Sequence, residues 1–138
     1  MPARLREPVA RRSNYRCGYC ATPVKITGAR MVIDHIVPEA AGGPTKESNL
    51  WLACHACNEF KGPQSHARDP LTGRRVRLFN PRRQRWSDHF TWSEDDSKII
   101  GTTACGRATV LALQMNHTDI VFARRRWAYA GWWPPEDE

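Results

Sequence analysis

Two Cys-x-x-Cys pairs constrain the fold of this 138-residue chain more than any other feature. Cys17 and Cys20 form the first pair, and Cys54 and Cys57 form the second. Two cysteines at this spacing can direct both sulfurs at one ion, and four thiolates complete the tetrahedral shell of a structural zinc ion. One pair alone is also typical of redox motifs, so the combination of both pairs is what indicates a metal site. We therefore expect one structural Zn²⁺ ion with no open coordination position.

The fifth cysteine and a nearby histidine leave two details open. Cys105 is expected to be a small buried hydrophobe. His55 lies between Cys54 and Cys57 and is an alternative zinc ligand in place of one thiolate.

The first residues of the chain are rich in arginine and lack the apolar segment of a secretory signal. This context favours zinc over disulfides and predicts a cytoplasmic protein.

The charge of the chain indicates a polyanionic partner. The formal net charge is +7 and the sequence pI is about 9.6, a balance typical of proteins that bind nucleic acid. A basic protein without an anionic partner is the alternative. No apolar run approaches the roughly 20 residues that span a bilayer, so no membrane partner is expected. We assign contacts with nucleic-acid phosphates to Arg12, Arg16, Arg74, Arg75, Arg82 and Arg83.

Between the two cysteine pairs, the sequence predicts a strand, a loop, a second strand and a helix. The apolar residues 31–33 form a short β-type run that ends at Asp34 and His35. Residues 38–43 read as a loop that ends in two glycines. Residues 49–53 return as a strand, and a helix that runs to Lys61 is stopped by a Gly-Pro pair.

The downstream half, residues 64–138, has no motif with chemistry of its own. Apolar periodicity and turn signals predict its elements. They are a strand around residues 76–79, a hairpin of residues 89–92 and 98–100, and helices over residues 103–115 and 119–130. Thr118 is a candidate N-cap of the second helix. Trp127, Trp132 and Trp133 are expected to pack in a core rather than to stack on bases.

A set of short motifs runs through residues 15–63: Cys-x-x-Cys, Asp-His-Ile-x-Pro, Gly-Gly, Asn-Leu and Cys-x-x-Cys-Asn-x-x-Lys-Gly. Together they resemble the HNH endonuclease family, whose fold is the ββα-metal hairpin. The resemblance implies a small zinc-clamped ββα-metal hairpin. Together with the elements predicted downstream, this gives an α+β fold in which the hairpin carries a C-terminal extension of a short β-hairpin and two helices. We assign residues 1–138 to a single HNH nuclease domain, with a basic N-terminal arm at 1–14, a core at 15–63 and the extension at 64–138. Asn58 stands where some members have His, although Asn also occurs there.

The resemblance implies a catalytic role for several side chains. His35 would be the general base that takes a proton from the attacking water, and Asn49 would orient its ring by a hydrogen bond. Asp34 and Asn58 would hold one Mg²⁺ or Mn²⁺ ion, a hard cation that prefers oxygen ligands. Lys61 would reach the phosphate group whose ester bond is hydrolysed. Successive side chains of a strand point to opposite faces, so the strand end must twist to bring His35 to the substrate.

The implied activity is metal-dependent hydrolysis of phosphodiester bonds in DNA, and RNA is the less favoured substrate. The alternative is a zinc-stabilised nucleic-acid-binding module without catalysis, which needs the thiols and the charge but neither Asp34 nor His35. A zinc deaminase is excluded because its His-x-Glu and Pro-Cys-x-x-Cys patterns do not occur. A purely structural zinc domain leaves the arginines unexplained. A homodimer would place two hairpins on opposite strands, but no sequence feature marks an interface.

Overall fold

The structure of the chain is a computed structural model that describes residues 2–136. It divides into two compact units. The first unit runs from the start of the described residues to Ser65 and includes Asn80–Gln84. The second comprises His66–Phe79 and the residues from Arg85 onward. The assignment of a single domain to residues 1–138 stays a prediction. No described helix is long and apolar enough to cross a membrane.

The described residues of the first unit contain one β-hairpin and three short α-helices, besides single turns of 3-10 helix. They are α1 at Arg6–Arg12, α2 at Val24–Thr27, β1 at Val32–His35, β2 at Leu50–Ala53 and α3 at His55–Lys61. Strands β1 and β2 are antiparallel and pair His35 with Leu50. All four residues of β2 are buried, and α1, which buries Val9 and Ala10, contacts this strand. The predicted order of strand, loop, strand and helix is confirmed.

The second unit contains two β-hairpins and two α-helices among its described residues. They are β3 at His66–Arg68, β4 at Arg75–Arg77, β5 at Phe90–Trp92, β6 at Ile99–Gly101, α4 at Ala104–Ala112 and α5 at Thr118–Tyr129. The sequence predicted the hairpin β5–β6 and both helices but missed β3, whose three residues His-Ala-Arg give no apolar alternation. The prediction of Thr118 as N-cap is wrong, because His117 occupies that position and its ring accepts a hydrogen bond from the Ile120 N–H at 3.4 Å.

Aromatic side chains build much of the core of the second unit. Consecutive ring centroids lie 4.8 to 5.1 Å apart, distances at which aromatic pairs attract beyond their area of burial. Trp127 extends this series, whereas Trp132 is 61% exposed and does not belong to the core. The rings in the consecutive series are those of Phe79, Phe90, Trp86, Trp92 and Trp133.

Asp69 attaches the turn between β3 and β4 to α4. Both of its oxygens accept hydrogen bonds from the Arg107 guanidinium at 3.0 Å. The same carboxylate accepts bonds from the Leu71 N–H at 3.1 Å and from the Thr72 hydroxyl at 2.8 Å. The hydrogen bonds from Arg107 hold the pKa of the Asp69 carboxyl well below its usual range.

Acidification should therefore destabilise the second unit through Asp69. An unfolded Asp has a pKa of about 3.9, and the folded value is lower, so the folded state binds fewer protons. The stabilisation is present above about pH 4 and is lost as the pH falls through the folded pKa. Asp69→Asn should lower the free energy of unfolding at neutral pH and flatten its decline in acid. Urea unfolding at several pH values checks this, with the exposed Asp88→Asn as control. A wild-type acid slope in Asp69→Asn would contradict the account.

Candidate metal centre and active site

The sulfur atoms of four cysteines meet inside the first unit. Cys17, Cys20, Cys54 and Cys57 place their sulfurs within 4.8 Å of one another. The Cys20 and Cys54 sulfurs are 3.7 Å apart, and zinc–sulfur bonds of about 2.3 Å give a tetrahedron with edges of about 3.8 Å. His55 is exposed and does not belong to the group. The four thiols therefore fit a structural Zn²⁺ ion, and the alternative with His55 is wrong.

Local backbone structure holds the two cysteine turns in place. The Tyr19 N–H donates a hydrogen bond to the Cys17 sulfur, and the Cys57 N–H donates one to the Cys54 sulfur, both at 3.4 Å. The second bond makes Cys54 the N-cap of α3. Gly18 is required because a Cβ atom at this position would collide with the ring of Trp51. The first cysteine turn is thus packed directly against the hairpin.

A bound cation is needed for all four thiols to be deprotonated together. Burial raises the pKa of the Cys17 thiol well above its ordinary value. Hydrogen bonds from the other three thiols hold the pKa of Cys20 well below its ordinary value. Because four thiolates in this volume would repel one another, full deprotonation requires a bound divalent ion, and zinc binding is then coupled to folding.

Asp34, a predicted metal ligand, lies in a buried polar cluster with Tyr19 and Lys61, called here the Asp34 cluster. The Tyr19 hydroxyl donates to one carboxylate oxygen at 2.6 Å. The Lys61 ammonium donates to the other oxygen at 3.2 Å and to the His35 carbonyl at 2.9 Å. Burial raises the pKa of the Asp34 carboxyl, and Lys61 and Tyr19 partly offset this. The cluster joins the first cysteine turn, β1 and the end of α3.

The position of Lys61 differs from the sequence prediction. Its side chain is 1% exposed, so its ammonium group points into the hairpin rather than toward a phosphate at the surface. The reason is electrostatic, because a buried ammonium is costly unless it is paired, and Asp34 supplies the opposite charge. Lys61 also bonds the main chain of His35, so it acts on the candidate base through the backbone of β1.

His35 projects from the opposite side of β1, as the alternation of a strand requires. Its side chain is 17% exposed, whereas that of Asp34 is 6% exposed. The His35 Nε2 atom lies 2.9 Å from the Thr45 hydroxyl and 3.5 Å from a carboxylate oxygen of Glu39. These two loop residues were not identified from the sequence. A polar residue after the Gly-Gly pair was the available signal for Thr45.

The Asn49 side chain forms hydrogen bonds with the backbone of the loop between β1 and β2, and not with the His35 ring. Its side-chain oxygen accepts a hydrogen bond from the Val37 N–H at 2.9 Å. Its amide donates to the carbonyls of Val37 at 3.0 Å and Pro44 at 2.9 Å. The expectation that Asn49 bonds the His35 ring is therefore corrected, because the loop backbone uses its amide group. Gly43 permits this closure, since a Cβ atom there would collide with the Val37 carbonyl.

Asp34 and Asn58 have the donor chemistry of a hard-cation site. Asn58 is half-buried on α3, one turn before Lys61. A carboxylate offers about four lone-pair positions, and hydrogen bonds to Tyr19 and Lys61 use two of those on Asp34. An amide oxygen and a carboxylate oxygen suit Mg²⁺ or Mn²⁺. The donor types of these two residues thus fit such an ion, and they would supply only two protein ligands.

The six arginines assigned to phosphate contacts fall in both units. Arg12, Arg16, Arg82 and Arg83 belong to the first unit, and Arg74 and Arg75 belong to the second. Arg82 differs from the expectation, because its guanidinium lies 5.1 Å from the ring centroid of Trp51 and donates to the Leu50 carbonyl at 3.3 Å. Burial, with the positive charge of Arg12 nearby, lowers the pKa of Arg82. Arg82 therefore packs against β2.

The Asp34 cluster gives a stability prediction. Tyr19→Phe removes the hydroxyl that donates to the buried carboxylate, and hydrogen bonds to charged groups contribute about 1.5–3 kcal/mol. We expect the free energy of unfolding to fall by about that amount, with zinc content unchanged. Tyr15→Phe is the matched control, because it removes an exposed hydroxyl that donates to Glu7 at 2.5 Å. Urea unfolding and zinc analysis check this, and equal stability of both variants would contradict it.

The fold and the site define a ββα hairpin with a four-cysteine site that fits a structural zinc ion. The family model described as HNH endonuclease matches residues 17–64, which begin at the first cysteine of the cluster and end just after α3. The resemblance indicated by the motifs is confirmed by this match to residues 17–64, and the match together with the four-cysteine site suggests a nuclease-type function related to nucleic acid. No curated protein and no solved structure matches the chain.

Proposed function

We propose that the protein is a metal-dependent endonuclease that hydrolyses phosphodiester bonds in DNA. The carrying observation is the position of His35 within the HNH domain. Its ring is held by Thr45 on the more exposed side of β1, while the adjacent Asp34 is fixed on the buried side. The net charge of +7 supports a polyanionic substrate. The four-thiol site supports a cytoplasmic location, where thiols remain reduced.

The contacts of His35 favour one tautomer of its ring in the proposed mechanism. The Glu39 carboxylate is an acceptor, and it lies on the same side as the Thr45 hydroxyl, beside Nε2. A proton on Nε2 suits this environment and leaves the lone pair on Nδ1. In the proposed mechanism, Nδ1 takes the proton of the attacking water. Glu39 then faces the positive imidazolium ring and stabilises it.

The other residues position the base and the metal ion. Asn49 holds the loop that carries Thr45, and Lys61 fixes the carbonyl of His35. Asp34 and Asn58 would hold a Mg²⁺ or Mn²⁺ ion, which when bound stabilises the charge that develops on the phosphate and the leaving oxygen. Tyr19 and Lys61 use two of the lone-pair positions of the Asp34 carboxylate, and the remaining two would be available to the ion.

A non-catalytic zinc-stabilised binding module is the second candidate. The observation in its favour is the enclosure of the Asp34 carboxylate by Tyr19 and Lys61. In this alternative, the Asp34 cluster only stabilises the hairpin, and the protein binds nucleic acid without cutting it. The partly exposed ring of His35 then has no role, which makes this the weaker candidate.

Labelled duplexes test the two candidates. Zinc-loaded protein is incubated with an end-labelled DNA duplex, or with RNA of the same sequence, with and without added Mg²⁺ or Mn²⁺. The endonuclease predicts internal cleavage of DNA that depends on the added ion, with slower cleavage of RNA. Product lengths show whether one or both strands are cut. Binding of DNA without cleavage under every ionic condition would support the binding module.

A further inference from the structure

One face of the hairpin β3–β4 is almost entirely cationic. Residues paired directly across an antiparallel ladder have their side chains on the same face, and residues two apart on a strand share that face. The register pairs His66 with Arg77 and Arg68 with Arg75, so these four residues form one face, called here the basic face. Ala67 pairs with Val76 on the opposite face. The three arginines of the basic face are exposed.

The basic face carries a charge arrangement that does not favour stability. Like charges directly opposite each other in a sheet are destabilising, and Arg68 lies opposite Arg75. Within the described part of the chain, no carboxylate forms an ion pair with Arg68, Arg75 or Arg77. Burial lowers the pKa of His66, and the charges of Arg75 and Arg77 lower it further. An anionic partner would remove this repulsion.

The hairpin is fixed to its unit, so the basic face is presented in one arrangement. The bidentate pair of Asp69 and Arg107 joins its turn to α4. After β4, the chain enters the core at Leu78 and Phe79, and the Phe79 N–H donates to the Thr109 hydroxyl at 2.9 Å. A surface that is already ordered loses less conformational entropy on binding.

We propose that the basic face of β3–β4 binds the sugar–phosphate backbone of duplex DNA. This inference rests on the proposed function and extends it, since it assigns the second unit a DNA-binding role and adds Arg68, Arg77 and His66 to the predicted Arg75. Arginine fits phosphate oxygens with a bidentate geometry. The four residues of the face include no Phe, Tyr or Trp, so it lacks the large aromatic rings on which proteins commonly stack unpaired bases. Phosphate contacts carry no sequence information, so this face contributes affinity without base preference.

Salt-dependent binding tests the basic face. Fluorescence anisotropy measures the affinity for a labelled DNA duplex between about 50 and 200 mM salt, without added divalent ions. In Arg75→Ala/Arg77→Ala, the slope of log K against log salt should decrease in magnitude by about two, because each lost phosphate contact removes about one. The matched control is Lys98→Ala/Arg126→Ala, which removes two exposed cations of the same unit and should keep the wild-type slope.

Two further comparisons make the result decisive. Arg75→Lys/Arg77→Lys keeps the charges and should keep most of the slope, which separates charge from misfolding. Equal slopes in the alanine variant and its control would overturn the proposal. So would equal or tighter binding of wild type to single-stranded DNA or to polyglutamate. Mg²⁺-dependent cleavage by wild type is scored separately. Binding that depends on the basic face in a protein that never cuts would contradict only the proposed nuclease.

Discussion

His35→Ala should reduce DNA cleavage by about 10²–10⁴-fold or more, the usual contribution of a general base. The variant removes the proposed proton acceptor and little else. The lost side-chain contacts are those with Thr45 and with the exposed Glu39. The backbone carbonyl that accepts from Lys61 remains. Fold, zinc content and affinity for DNA should therefore stay at wild-type values, and the loss should appear in kcat.

The matched control is His55→Ala. His55 is an exposed histidine on α3 that lies outside the thiol cluster, so its removal should leave cleavage and zinc binding intact. Cleavage rates on a labelled duplex, with circular dichroism and anisotropy on the same preparations, measure all three properties. A His35→Ala protein that cuts at the wild-type rate would refute the assignment of the base.

Cys54→Ser should abolish zinc binding and unfold the hairpin of the first unit. Structural zinc in small peptides contributes about 10–16 kcal/mol of apparent binding energy, which matches or exceeds the total stability of a typical domain, about 5–15 kcal/mol. Cys54 is also the N-cap of α3. Serine is a favourable N-cap, so this substitution removes the metal ligand while it retains the capping function.

Cys105→Ser is the control for Cys54→Ser. Cys105 is half-buried in the second unit and does not belong to the cluster, so this variant should retain one zinc ion per chain. Metal analysis of purified protein gives the stoichiometry, and limited proteolysis of residues 17–64 reports the folding of the hairpin. A folded Cys54→Ser protein with full zinc content would show that the ion is not held by four thiolates.

The cysteine cluster and the hairpin were predictable because they follow from local spacing. A Cys-x-x-Cys pair lies at each end of the segment 17–57. Few arrangements other than a shared metal site bring the four sulfurs together. The order of strand, loop, strand and helix follows from apolar runs and from Gly and Pro signals. The resemblance to the HNH family then indicated which residues of this segment belong to the candidate site. The family model matches the same segment.

The partners of the buried polar groups were not predictable from spacing. The sequence places Asp34, Asn49 and Lys61 near the site, but it does not show which donor reaches which acceptor. In the structure, Asp34 is bonded by Tyr19 and Lys61, and Asn49 closes the loop. These choices depend on burial, because most buried polar groups form a hydrogen bond with some partner. The signal for Tyr19 was its position between two zinc ligands, which fixes its side chain beside β1.

Cleavage of supercoiled plasmid by zinc-loaded wild-type protein tests the central claim most directly. The protein is freed of excess metal, and Mg²⁺ is then titrated into the reaction while bound zinc is measured. The account predicts no cleavage before Mg²⁺ is added, saturable cleavage as Mg²⁺ rises, and one zinc ion per chain throughout. An intact plasmid at every concentration of Mg²⁺ and of Mn²⁺, with zinc and DNA binding preserved, would contradict the proposal that this HNH domain is a nuclease.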